Sequence, residues 1–302
     1  MDGILFLVLA VLTSFVSIKL SYYGDILSKQ TKLGSALVGG LLIASVTSLP
    51  EFVTSISAVI LDNPSLSFGD ILGSNMFNIF ALSIYNLFFI KRFIFSNAKN
   101  KFIYEIIILL IEYIFIFLNL RILTTIVLFI LYFLYAFKIS KTKNDTPKED
   151  KKENKPLLKF IIVSITLIIL SILLTLQADK LTHIYPHISS STIGAILLGI
   201  TTSLPEVVTT YGLIKYNNYD MAISNILGSN IFNFLVLSIS DLFNDKSIYN
   251  MIDINSKMYL YGGIIITILL LISLFKKNKV LSTVLSIVMS FIYLVIWYFQ
   301  FN

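Results

Sequence analysis

The chain has 302 residues, 56% hydrophobic and 13% charged, with a mean hydropathy of +0.86. That is too little charge to cover a water-soluble domain of this length. The formal net charge is +6, and cysteine is absent, which excludes disulfides, thiolate metal sites and cysteine nucleophiles. The expected fold class is therefore an all-α polytopic membrane protein, because several apolar runs approach the ~20 residues that a helix needs to cross the hydrocarbon core.

Ten transmembrane helices are expected, at residues 3–20, 34–60, 69–90, 102–119, 122–138, 157–176, 189–214, 221–242, 258–275 and 280–299. The first, MDGILFLVLAVLTSFVSI, lacks a basic n-region and a small-residue cleavage site, so it reads as a span and not as a removable signal. The second contains TSLPEFVT at 47–54, and the third contains ILGSNMFN at 71–78. The fourth carries Glu105 and Glu112, seven residues apart on one face; Glu105 is expected to be solvated near the interface and Glu112 to be bonded to a neighbour. Between the fifth and sixth spans lies KISKTKNDTPKEDKKENKPLLK, whose mixed charges and two prolines describe a solvated linker over 139–156. His183 and His187 fall in an outer loop and read as surface residues. The seventh span brings TSLPEVVT at 202–209, and the eighth ILGSNIFN at 226–233.

Orientation follows from the basic residues. With the linker in the cytoplasm and ten alternating spans, 19 of the 23 Lys and Arg face inward, and only Arg121, Lys180, Lys246 and Lys257 face outward. Both termini are then extracellular, in a multi-pass protein of the cell membrane. The basic balance is a topology signal, with no nucleic acid implied.

The two pairs of words share one offset of 155 residues, and a common Leu-Ser-Ile follows at 82–84 and 237–239. Residues 1–138 form a first five-helix repeat and 157–302 a second. An odd number of spans per repeat inverts the second copy relative to the first. Inverted repeats with broken helices meeting near the midplane are the architecture of many secondary transporters. Pro50 and Pro205 lack an amide hydrogen and break helices 2 and 7, each freeing a carbonyl about four residues back, near Val46 and Thr201.

Thr47, Ser48 and Glu51 lie together on a helix face, and Ser74 and Asn78 stand four apart on the next helix, with Asn75 beside them. The second half supplies Thr202, Ser203, Glu206, Ser229, Asn230 and Asn233. Two such surfaces closing on each other offer carboxylate, amide, hydroxyl and backbone oxygens. Ca²⁺ takes six to eight such ligands, and Na⁺ accepts the same atoms. Without His, Cys or Met in these words, a softer metal is not indicated. A proline kink alone serves packing, and Ser, Thr and Asn alone bond neighbouring helices. A mid-membrane carboxylate costs roughly 2.5 kcal/mol or more on insertion scales, and two at matching positions point to function.

The paired words VTSLPE…GDILGSNMFN and TTSLPE…SNILGSNIFN resemble the two alpha-repeats of the sodium/calcium exchanger family, within the cation/calcium antiporter superfamily. Its motifs read close to GTSLPE and GNxxGSNxxN/D. The resemblance covers the ten-span plan and is sharp over 44–78 and 199–233. It implies antiport of Ca²⁺ against Na⁺, with no cofactor and no enzymatic activity, in a protein functional as a monomer. It also implies that Glu51 and Glu206 bridge the central calcium, and that Asn78 and Asn233 complete the centre. Thr47, Ser48, Thr202, Ser203, Ser74 and Ser229, with the Ala44 and Gly199 carbonyls, then serve sodium.

The chain departs from the family pattern at five positions. Val46 and Thr201 replace Gly, Asp70 stands where Asn is usual, and both Asn78 and Asn233 stand where many members carry Asp. The centre is thus expected to hold two negative charges, both from glutamate. These neutralise one Ca²⁺, whereas three Na⁺ leave excess positive charge. That leaves open H⁺ or K⁺ as the coupling ion and Mg²⁺ or Mn²⁺ as the substrate, with a passive cation channel as the rival outside the class. No nucleotide-binding or nucleophile motif supports ATP-driven pumping or enzymatic work.

Overall fold

Apolar runs free of internal proline form long helices here, and the two runs that contain TSLPE form bent ones. The structure, a computed structural model, describes residues 2–31, 33–89, 95, 101–141, 153–182, 192, 194–244, 247–276 and 278–300. Among these, the helices in chain order are α1 (Asp2–Gln30), α2 (Ser35–Thr47), α3 (Leu49–Ile60), α4 (Pro64–Phe88), α5 (Lys101–Leu118) and α6 (Ile122–Ser140). Then come α7 (Pro156–Thr182), α8 (Ala195–Thr202), α9 (Leu204–Lys215), α10 (Tyr219–Asp241), α11 (Ile254–Lys276) and α12 (Lys279–Phe299). A 3₁₀ turn at Ile248–Met251 precedes α11. Most of the expected linker, and both histidines, lie outside the described residues.

Seven of these helices are long and apolar enough to cross a membrane, or nine spans if each bent pair counts as one. Helix α5 occupies the place of the expected fourth span, but its 18 residues include Lys101, Glu105 and Glu112. Several boundaries differ from expectation for local reasons. Helix α4 begins at Pro64, where proline fits the first turn and Asn63 Oδ1 accepts from Leu66 N at 3.3 Å. The same cap starts α10, where Asn218 Oδ1 accepts from Met221 N at 3.3 Å. Helix α1 runs ten residues past its expected end, because nothing between Ser21 and Gln30 breaks a helix and its last turns are held. Asp25 pairs with Lys29 at 2.8 Å and accepts from Asn218 Nδ2 at 2.8 Å, tying α1 to the start of α10.

Helices α4 and α10 form the centre, and their contacts cross between the halves. The first bent helix, α2, packs on α10, whereas α8 packs on α4. Helices α1 and α7 lie together outside them, α1 against α9 and α7 against α3. Burial follows this order: 89% of the apolar window of α10 is buried, against 22% for α1. The outward faces carry Ile4, Leu7, Val11 and Phe15 on α1 and Ile162, Ile165 and Ile169 on α7, a surface fit for lipid.

Two glycines explain how tightly the halves meet. A Cβ on Gly228 of α10 would lie 2.1 Å from the Gly40 carbonyl oxygen, and one on Gly73 of α4 would lie 2.4 Å from Ala195 Cα. These are matching positions in the two repeated words, each pressed on the backbone of the other half's bent helix. Close backbone approach through small residues is how membrane helices associate without a hydrophobic drive. The Tyr135 hydroxyl adds a bond here, donating to Gly40 O at 2.7 Å from a nearly fully buried ring. Tyr135→Phe should therefore lower Tm by roughly 2–4 °C, the scale of one lost hydrogen bond of about 1 kcal/mol, measurable by thermal unfolding in detergent.

Candidate functional site

Each TSLPE word bends its helix. The angle between α2 and α3 is 44°, and that between α8 and α9 is 45°. The hinges are Ser48 (φ −90°, ψ 8°) and Ser203 (φ −79°, ψ 0°), with Pro50 and Pro205 in the first turn of the helix that follows. Ahead of each hinge lies a π-helical turn, Val38–Ile43 and Gly194–Leu198. Such turns gather at functional sites because they disturb the regular carbonyl ladder. The threonine hydroxyls fold back on the carbonyls before the break. Thr47 Oγ1 lies 3.1 Å from Ile43 O and 3.2 Å from Ala44 O, and Thr202 Oγ1 lies 3.0 Å from Leu198 O.

The bends place Glu51 and Glu206 in the first turns of α3 and α9, where the helix N-terminus favours a carboxylate. The bonds between the halves come in matched pairs. Ser48 Oγ donates to Glu206 Oε1 at 2.8 Å, and Ser203 Oγ donates to Glu51 Oε1 at 3.2 Å. Asn75 Nδ2 donates to Asn230 O at 3.2 Å, and Asn230 Nδ2 to Asn75 O at 3.0 Å. Asn78 Nδ2 donates to Asn230 Oδ1, and Asn233 Nδ2 to Asn75 Oδ1, both at 2.9 Å. Adding 155 to the number of the first partner in each pair gives its counterpart in the second half.

All twelve side chains or carbonyls expected at the site fall in this buried centre. Glu51 and Glu206 are fully buried within electrostatic reach of each other, and Ser74 and Thr202 flank Glu51 as Thr47 flanks Glu206. Each carboxylate has one oxygen, Oε2, without a hydrogen-bond partner among the described residues; so do Asn78 Oδ1, Asn233 Oδ1 and Ser229 Oγ. Such a concentration of unpaired buried acceptors is costly unless a cation or proton meets them. Asn75 and Asn230 hold the Asn78 and Asn233 amides by their nitrogens, which leaves the carbonyl oxygens as the free atoms. Among the described residues no three Asp, Glu or His side chains close on one point, so neutral oxygens dominate the donor set. That composition suits Ca²⁺ and Na⁺.

Three expectations need correction. Glu105 is not solvated: it is 5% exposed, because α5 packs against α6, where Lys138 Nζ lies 3.2 Å from the Tyr104 ring centroid. Glu112 is fully buried, but neither of its oxygens has a hydrogen-bond partner among the described residues, so the expected bond to a neighbour is absent. Most important, the glutamate pair is not the whole of the acidic groups at the centre. Asp70 is fully buried within electrostatic reach of Glu51, with Oδ1 3.2 Å from Thr202 Oγ1 and Oδ2 accepting from Ser55 Oγ at 3.3 Å. A carboxylate in a position otherwise held by Asn was the signal that could have placed it here.

A cavity of about 190 Å³ between α3 and α7, lined by Pro50, Val53, Thr54, Ile172 and Thr175 among others, is mostly apolar and contains none of the twelve site residues. This cavity therefore does not mark the chemistry. The unpaired oxygens do.

Comparison with known proteins matches residues 2–140 and 155–302 to the protein family described as sodium/calcium exchanger protein. The uncharacterized membrane protein MJ0091 of Methanocaldococcus jannaschii is 24% identical over 237 residues, 74% of this chain and 78% of its own. The sodium/calcium exchanger MaX1 of Methanosarcina acetivorans is 40% identical over 65 residues, 21% of this chain and 19% of its own. A solved structure of the sodium-calcium exchanger NCX_Mj, soaked with 2.5 mM Na⁺ and 10 mM Sr²⁺, superposes with a TM-score of 0.74 at 21% identity, covering 98% of each chain.

Proposed function

This chain belongs to the sodium/calcium exchanger protein family, a family of transporters and not of enzymes, and we propose that it exports Ca²⁺ in exchange for Na⁺ by alternating access around Glu51 and Glu206. One observation carries this reading. Two buried carboxylates, each bonded through one oxygen to the opposite half, have no partner among the described residues for their other oxygens, and neither do the buried Asn78 and Asn233 carbonyls. Ca²⁺ is held between Glu51 and Glu206 with those amide oxygens. Na⁺ takes the hydroxyls of Thr47, Ser48, Ser74, Thr202, Ser203 and Ser229 and the carbonyls of Ala44 and Gly199.

The halves 1–138 and 157–302 act as inverted repeats rocking about this site, which both expose in turn. The matched bonds at a spacing of 155 residues support that reading. The linker is cytoplasmic, both termini are extracellular, and the site lies in the cell membrane. Because one chain supplies both half-sites, it works as a monomer.

The test is uptake of radioactive calcium into proteoliposomes loaded with sodium, with potassium-loaded vesicles and a pH step as separate arms. Uptake should require internal sodium. Uptake that follows only the pH gradient would replace the driving ion, and a failure to move calcium under any gradient would overturn the assignment.

A further inference from the structure

We propose that Asp70 is a positioning and charge-supplying residue that makes one of two lateral half-sites, that of Ser74, Thr202, the Gly199 carbonyl and Glu51, a selective sodium site, a role its counterpart Asn225 cannot fill in the matching set of Ser229, Thr47, the Ala44 carbonyl and Glu206. This rests on the exchanger reading for the identity of the transported ions.

A hydroxyl has one proton to donate and two lone pairs to offer, and an ionised carboxylate only accepts. Thr202 Oγ1 lies 3.2 Å from Asp70 Oδ1 and 3.3 Å from Ser74 Oγ, and Ser74 Oγ donates to Gly199 O at 3.1 Å. Turned toward Asp70 instead of the Leu198 carbonyl at 3.0 Å, the Thr202 proton leaves the Thr202 lone pairs for a cation among Ser74, Gly199 and Glu51. Charge-assisted bonds of this kind are about twice as strong as neutral ones, and the carboxylate adds a negative charge behind the hydroxyl. A cation there also meets the unpartnered Oε2 of fully buried Glu51.

The mirror position is built differently. Asn225 turns its amide nitrogen to Thr210 Oγ1 at 2.9 Å and to the Glu206 carbonyl at 3.2 Å, and it carries no charge. Thr47, the counterpart of Thr202, has the Ile43 and Ala44 carbonyls and the Glu206 carboxylate beside it, and no counterpart of Asp70. The two half-sites are therefore alike in their hydroxyls and unlike in charge. Asp70 also supplies the third negative charge that a centre of two glutamates and two asparagines lacks, so three monovalent cations can be balanced.

The experiment measures sodium dependence in two ways on the full-length protein, by the thermal stabilisation of purified protein in NaCl against KCl and by sodium-driven calcium uptake. Asp70→Asn should raise the half-saturating sodium concentration about tenfold in both, from the loss of a nearby charge in a low-dielectric site. Half-saturation for calcium, read in sodium-free calcium/calcium exchange, should move less than about threefold, because Asp70 is bonded to Thr202 beside the sodium site and reaches Glu51 electrostatically but not Glu206. Equal shifts for both ions, or none, would overturn the proposal. Ser55→Ala removes the other bond of Asp70 but keeps its charge and its contact with Thr202, so it should retain wild-type sodium dependence; a shift matching that of Asp70→Asn would make Asp70 a purely structural acceptor.

If Asp70→Asn does not fold, Asn225→Asp carries the test. A second lateral carboxylate should lower the sodium half-saturation about tenfold, and an unchanged value would overturn the proposal. A wild type that sodium stabilises but that exchanges no calcium would remove the proposed function and leave this site standing. A wild type that sodium does not stabilise removes the site.

Discussion

Glu51→Gln and Glu206→Gln should each reduce calcium flux more than a hundredfold while leaving the protein folded. Glutamine keeps the shape and can still accept the Ser203 or Ser48 hydroxyl bond that now reaches Oε1. It cannot supply the charge that faces a divalent ion in a site with no solvent exposure. A hundredfold loss corresponds to about 2.7 kcal/mol, less than the several kcal/mol expected when one of two carboxylates on a buried dication is lost. Folding should not suffer, since a neutral amide is less costly to bury than a carboxylate. Calcium uptake and size-exclusion profiles together check this, and folded mutants with wild-type flux would remove the site. The matched hydrogen bonds predict losses of the same order for the two substitutions, and wild-type flux in one of them alone would show that the other glutamate works alone.

Gly228→Ala should unfold or distort the centre more than any other single methyl addition. Its Cβ would stand 2.1 Å from Gly40 O and 2.7 Å from both Gly40 C and Cα, all backbone atoms that no rotamer change can clear. Helix α10 would have to move off the π-turn of α2, taking Asn230 and Asn233 with it. Overpacking of this kind costs about 1–3 kcal/mol. The displaced asparagines would lower calcium uptake more than tenfold even below the melting temperature, beyond what the stability loss alone explains. Gly73→Ala, 2.4 Å from Ala195 Cα, should do the same from the other half. Thermal unfolding and uptake at a permissive temperature separate the two effects.

The repeated words made the site readable because their chemistry conflicts with an apolar run. Glu51 and Glu206 stand out against it, proline announces the break, and the residues around them fall together once both helices bend. Other features had no local signal. The π-turns follow ordinary apolar sequence, Val38–Ile43 and Gly194–Leu198, and arise where the other half's glycines press on the backbone. Asp70 was visible as a residue, but its partner Thr202 lies 132 positions away, so only the folded chain shows what it adds. Glu105 looked like an interface residue by its place near a helix end, yet it is covered by α6, a contact that no periodicity announces. Helix lengths at the membrane surface, as in α1, depend on pairs such as Asp25 with Asn218 rather than on hydropathy.

One of the matched contacts is unpaired. Ser74 Oγ reaches Gly199 O at 3.1 Å, but its counterpart Ser229 Oγ has no partner among the described residues and makes no such bond to Ala44 O. Between two repeated words whose asparagine bonds match, a contact made on one side and missing on the other has the form of a latch set to one of two positions. Under the proposed alternating access, the second position would have Ser229 closed on Ala44 and Ser74 released. An exchanger working as proposed would then trade this serine contact between its halves, while Asp70, bonded to Thr202 on one side only, keeps the two positions unequal.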